Sequence, residues 1–136
     1  MKYLLIDVIN NDVRLVEADG LDDFYKFLNC RCIDVIHRKI GDIECSLIID
    51  DEGLLKVDPI VSAIDVNGSP CLVGNILIAS AKTVDGELTE LTNEDVQDIM
   101  FNVAEITTLK RSEPYRVLVE VDYWKVVLNG KSEIYR

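Results

Sequence analysis

The sequence predicts an α+β fold: a mostly antiparallel sheet with two helices packed on one face and a C-terminal β-hairpin. Three observations carry this reading. Short apolar or alternating runs recur between Asn, Asp and Gly turn residues, which is the pattern of hairpin-connected strands. Two stretches instead space their apolar residues at i, i+3, i+4 and i+7, the stripe of an amphipathic helix. Asn129-Gly130 stands between Val126-Val127-Leu128 and Lys131 onward, and Asn-Gly supplies the φ > 0 pair that a tight hairpin turn demands. At 136 residues the chain reads as one globular unit. It divides into an acidic α+β body, residues 1–106, and an appended hairpin, residues 107–136.

Residues 2–9 form the first expected strand. Asn10-Asn11-Asp12 is turn chemistry, and the alternation from Val13 to Glu17 completes an N-terminal hairpin. Leu21, Phe24, Tyr25 and Leu28 make the first helical stripe. Asp22 and Asp23 lie in its first turn, where the helix dipole favours anions. Strands are expected at 32–37 and 43–49 about a Gly41-Asp42 turn. Residues 54–70, with Pro59, Asn67-Gly68 and Pro70, read as loop with a helical turn at the start. Leu72 to Ile78 reads as one buried strand region, with Gly74-Asn75 as a bulge. Residues 82–90 read as loop. Thr92 is a strong N-cap for the second helix, whose stripe is Val96, Ile99, Met100 and Val103. Met100 and Phe101 read as core filler. From Tyr115 to Tyr123 the chain alternates as a strand.

Composition narrows the function classes. Apolar residues make up 49% of the chain, so disorder is not the expectation. No apolar run approaches the roughly 18 residues of a membrane span. Asp7 interrupts the apolar start at Tyr3-Leu4-Leu5-Ile6, so that segment reads as a strand and not as a signal h-region. A reducing, cytoplasmic compartment follows, and Cys30, Cys32, Cys45 and Cys71 are expected as buried thiols. Cys30, Cys32 and Cys45 with His37, the one histidine, match no common zinc spacing, so no metal or cofactor is expected.

The net charge is −11. Residues 1–109 hold 21 Asp or Glu against 8 Lys or Arg, a net of −13, and the remainder is mildly basic. Such a field repels nucleic-acid phosphates and anionic lipid and favours a protein partner with a basic surface. Asp50-Asp51-Glu52-Gly53 is the sharpest local motif. It lacks the spacing of a calcium loop, so it reads as an acidic turn or partner contact. No phosphate-cradling glycine loop or nucleophile elbow is present, and His37 reads as a surface or half-buried strand residue. A stacking platform of Trp124, Tyr115 and Tyr123 beside Arg116 and Lys125 is weighed against strand packing. The net charge disfavours nucleic acid for it.

Ile48-Ile49-Asp50-Asp51-Glu52-Gly53-Leu54-Leu55-Lys56, then Pro59, Ser62-Ala63 and Leu72-Val73-Gly74-Asn75, resemble the domain-of-unknown-function family 3846. Leu91-Thr92-Asn93-Glu94-Asp95-Val96 is similar to that family's entry into a helix. The resemblance spans roughly residues 1–105. It implies an accessory protein of a phage, plasmid or integrated element of Gram-positive bacteria, with no assigned catalytic residue. The candidate residues are therefore Asp50, Asp51, Glu52, Gly53, Gly74 and Asn75.

The functional expectation is a non-enzymatic protein-binding module, with counter-defence by nucleic-acid mimicry as a special case. The alternative is a small-molecule or nucleotide-binding protein using Arg14, Arg31, Arg38 or Lys39. A metal-assisted enzyme built on Asp50 comes third. Unpaired strand edges leave a homodimer open.

Overall fold

The computed structural model describes residues 1–123, together with the strand backbone of 125–128 and 132–135. Its centre is a ten-stranded sheet. β1 (Lys2–Asp7) and β2 (Asp12–Glu17) form the expected hairpin, in register from Lys2↔Glu17 to Asp7↔Asp12. Helix α1 (Leu21–Leu28) follows and ends on Asn29 in the left-handed region. β3 (Ile33–Ile40) and β4 (Ile43–Asp50) form the second hairpin about Gly41-Asp42. A 3-10 turn covers Gly53–Leu55. Then come β5 (Val61–Asp65), β6 (Pro70–Val73), β7 (Ile76–Val84) and β8 (Glu87–Thr89). Helix α2 (Asn93–Met100) precedes β9 (Val103–Ile106) and β10 (Tyr115–Tyr123).

The strand order is β2-β1-β7-β4-β3-β10-β5-β6, with β8 on β7 and β9 on β10. Every pairing in this sheet is antiparallel except β10 with β5, so the sheet is mixed. Lys125–Leu128 and Ser132–Tyr135 pair with each other as a separate two-stranded sheet. The expected Asn129-Gly130 turn and the side chain of Trp124 lie outside the described residues.

The two helices lie on opposite faces, which corrects the expectation of one face. Strand side chains alternate between faces, and β1 divides its apolar residues accordingly. Leu4 and Ile6 join Ile40, Leu47, Ile76 and Ile78 in one core, into which α2 sends Ile99 and Val96. Tyr3 and Leu5 join Ile48, Leu77 and Ala79 in the other, which α1 covers with Phe24, Phe27 and Leu28. Tyr3 and Phe24 meet edge to face at 5.4 Å. The unbroken apolar runs Tyr3–Ile6 and Ile76–Ala79 are what a strand buried on both faces requires.

On the α2 side the sheet curls over its own core. β10 stands four places from β1 in the order. Yet Arg116 donates its backbone N–H to Asn11 Oδ1 at 3.0 Å and its guanidinium to the Asn11 carbonyl at 2.9 Å. Tyr115, Val117, Leu118 and Val121 thereby close the core from above. β10 is thus an interior strand, not part of an appended hairpin. One of its edges serves β9 at 115–118 and then β3 at 121–123. The switch is made where Glu120 takes φ 58° and its carbonyl accepts from Gly41 N at 3.1 Å.

Three further expectations change. Leu72 to Ile78 is two strands, β6 and β7, separated by Gly74 at φ +77° and placed far apart in the order. Residues 61–65 and 82–89 contribute strands where loop was expected, the latter as a hairpin about Asp85-Gly86. Phe101 is 86% exposed and Met100 37%, so neither is core filler. The second helix does begin as expected: Thr92 Oγ1 accepts from Asp95 N at 3.0 Å, and the Asp95 carboxylate accepts from Thr92 N. No helix among the described residues is long and apolar enough to cross a membrane.

Candidate functional site

The two halves of the sequence motif meet. Gly53 packs against β6 so closely that a Cβ there would lie 3.2 Å from Val73 Cγ2 and 3.8 Å from Asp50 Cβ. Gly74 N donates to the Ile60 carbonyl at 2.8 Å, which turns the chain sharply out of β6. Asp50, Gly53, Gly74 and Asn75 line one small recess of about 160 Å³. Asp51 and Glu52 line larger neighbours with Asp50 but not this one.

Asn75 is the buried centre of this junction, 4% exposed. Its Oδ1 accepts from Val8 N at 2.9 Å, and its Nδ2 donates to the Phe27 carbonyl at 2.9 Å and to Asp7 Oδ1 at 3.2 Å. Asp7 also accepts from Asn10 N and Asn10 Nδ2, both at 3.0 Å, and from Arg14 at 3.1 Å. Burial alone would raise its pKa. The hydrogen bonds from Asn10, Arg14 and Asn75 outweigh that and hold it below the usual 3.8. The network ties β1, α1 and the start of β7 together, so Asn75 and Asp7 set the shape of the site from beneath.

The acidic motif is largely neutralised from within. Asp50, 8% exposed, pairs with Lys56 at 2.9 Å and accepts from Glu52 N at 2.9 Å. Glu52 accepts from Arg31 Nε and Nη2, at 3.1 and 3.2 Å, and this pairing holds its carboxyl below the usual range. Asp51 is exposed and makes no salt bridge among the described residues. No cluster of metal-ligating side chains occurs among those residues.

Around this junction lie two apolar recesses. The larger, about 810 Å³, is lined by Ile9, Pro59, Ile60, Val73 and Leu109, with Lys110 and Arg111 at its wall. Arg111 stacks 4.5 Å over the Tyr115 ring and donates to the Val8 carbonyl. Lys110 approaches Asp58 at 3.9 Å. The second, about 340 Å³, runs between β6 and residues 49–55. Leu54 and Leu55 line this second recess and are 78% and 81% exposed, Leu109 in the larger is fully exposed, and Val57, 91% exposed, lines the small recess beside Asn75. Sequence reasoning missed these leucines and Val57 as surface features. Their signal was apolar residues without periodicity in a turn-rich stretch beside Pro59.

The four candidate cations do not converge. Arg14 is held by Asp7 and Asp12, and Arg31 by Glu52. Arg38 donates to the His37 carbonyl and stacks on Tyr123 at 4.5 Å. Lys39 sits in register between Glu44 and Asp122. His37 is half-buried, with Nδ1 3.2 Å from Ser46 Oγ. Of the thiols only Cys45 is buried, and burial pushes it up to about 12; Cys30 is half-buried, while Cys32 and Cys71 are exposed.

With this geometry in place, the comparison with known families is specific. The family model described as "Domain of unknown function (DUF3846)" matches residues 1–104. The chain belongs to this family. No curated protein and no solved structure matches it. The family match takes in Asn75, Asp7, the acidic motif, β6 and the exposed leucines, but it stops before Leu109 and before β10.

Proposed function

We propose that this protein is a non-enzymatic protein-binding module of a mobile element, whose binding face is formed by residues 51–60, β6 and the turn at 108–111. One observation carries the reading. Ile9, Leu54, Leu55 and Leu109 stand exposed on the lining of two apolar recesses, with exposed Val57 on the adjoining small one, on a chain whose surface is otherwise rich in charge. Exposed apolar groups gathered in one place and rimmed by polar ones mark interaction sites. The charge pairs Asp50–Lys56 and Glu52–Arg31 leave the face nearly neutral, while the body around it is strongly acidic. A partner with an apolar contact and basic surroundings suits both properties. Counter-defence against a nucleic-acid-binding host protein is the special case, and the paired strands Lys125–Leu128 and Ser132–Tyr135 are a second candidate contact.

The test is affinity capture from host lysate with the native protein and with Leu54→Asp/Val57→Asp as baits. Both side chains are exposed, so the variant keeps its fold. A partner held by the native bait, lost from the variant and weakened by salt supports the proposal. Identical capture by the two baits refutes it.

A further inference from the structure

β6 is an end strand of the ten-stranded sheet, paired on one side with β5 and on the other with no strand among the described residues. Its residues Cys71, Leu72 and Val73 make no backbone hydrogen bond outside that pairing among the described residues. The other end strand, β2, is studded with Asp12, Arg14 and Glu17, the usual protection of an edge. β6 reads Pro-Cys-Leu-Val and carries no charge. The 340 Å³ recess runs along all four of its residues, bounded opposite by Gly53, Leu54 and Leu55. The 810 Å³ recess opens at Pro70 and Val73. An unpaired strand edge flanked by side-chain recesses is the arrangement that binds extended peptides by strand addition. Main-chain hydrogen bonds then hold the peptide, and alternate side chains fill the recesses.

Charge selects the occupant. The carboxylates nearest the trench are matched, Asp50 by Lys56, Glu52 by Arg31 and Asp58 by Lys110, so its middle suits apolar side chains. Asp51 at the rim is unmatched among the described residues, and the 1–109 body carries −13, so the flanks suit Lys or Arg. A second copy of this chain brings the same negative charge and is disfavoured. We infer that β6 receives an extended, alternately apolar segment of a partner protein, flanked by basic residues, as an added antiparallel or parallel strand. This inference rests on the protein-binding reading and names its partner segment.

The experiment selects peptides from a displayed random library on the native protein, counter-selected on Leu54→Asp/Val57→Asp, and resynthesises the winners. Two signatures are expected on binding. Amide hydrogen exchange slows at Cys71–Val73. N-methylation of the peptide, one amide at a time, weakens binding roughly tenfold or more at every second residue and is tolerated between, because only one edge of an added strand faces β6. Selection of acidic peptides, unchanged exchange in β6, or N-methylation effects without alternation overturns the inference. So does a dimer in light scattering whose formation protects β6. If the Leu54→Asp/Val57→Asp bait loses its partner while β6 stays unprotected, the strand addition falls and the protein-binding reading stands. If the library yields no binder and both baits capture alike, both fall.

Discussion

Replacing Asn75 by Ala removes a side chain that ties together the end of β1, α1 and the start of β7. The magnitude follows from its three hydrogen bonds. Val8 is fully buried, so its N–H is left without a partner, at about 1–3 kcal/mol. Loss of the donors to the Phe27 carbonyl and the Asp7 carboxylate adds about 1 kcal/mol each. The expected total is about 3–5 kcal/mol, a large share of the roughly 5–15 kcal/mol by which domains are stable. Urea unfolding followed by tryptophan fluorescence and circular dichroism measures it, with an unchanged m value showing that only stability moved. Asn75→Asp sharpens the test. It keeps an acceptor for Val8 N but sets a carboxylate against Asp7, where two like charges resist joint ionisation. Its deficit is at least as large at neutral pH and shrinks as acid protonates one of the pair. A loss below about 1 kcal/mol in Asn75→Ala, against the full desolvation cost of an orphaned N–H, refutes the reasoning.

Other outcomes follow from the same geometry. Asp7 has a depressed folded pKa, so its contribution is present above the usual 3.8 and is lost as pH falls through the folded value. Asp7→Asn is therefore about 1–2 kcal/mol less stable than the parent at pH 7, and the two urea midpoints converge in acid. Gly74→Ala meets no atom within 4 Å but must hold φ +77°, so urea titration should show a loss of about 1–2 kcal/mol from backbone strain alone. A disulfide reagent labels exposed Cys32 in the native protein, whereas Cys45 reacts only after unfolding, as mass spectrometry of quenched samples would show.

Local signals made much of the fold legible. The β1–β2 and β3–β4 hairpins announced themselves by turn residues between apolar runs. Both helices did so by their stripes, and the second also by its Thr92 cap. What stayed hidden depended on residues distant in sequence. β6 and β7 are nearly contiguous, and only the positive φ of Gly74 and its bond to the Ile60 carbonyl send them to different places in the sheet. The two-sided burial was written in Tyr3–Ile6, yet an apolar run does not say which helix covers which face. For the site, the acidic motif and Gly74-Asn75 were recognised as features. Their meeting through Gly53 and Val73 is a tertiary fact that no spacing encodes. The exposed leucines were passed over because loop residues carry no periodicity to mark them.

The position of β10 bears on how the chain comes to be folded. The family match ends at residue 104, but β3 and β5 are joined through β10, and Tyr115, Val117, Leu118 and Val121 roof the core beneath them. When only the matched segment has left the ribosome, four hairpins and two helices stand around a core left open where β10 will lie. Closure waits for residues 115–121, which are made after the matched segment, so the core stays open until they emerge and the shorter chain is a natural client for chaperones. A product cut at the family boundary should behave as an aggregation-prone fragment, and residues 105–123 are as much a part of the folding unit as the matched segment.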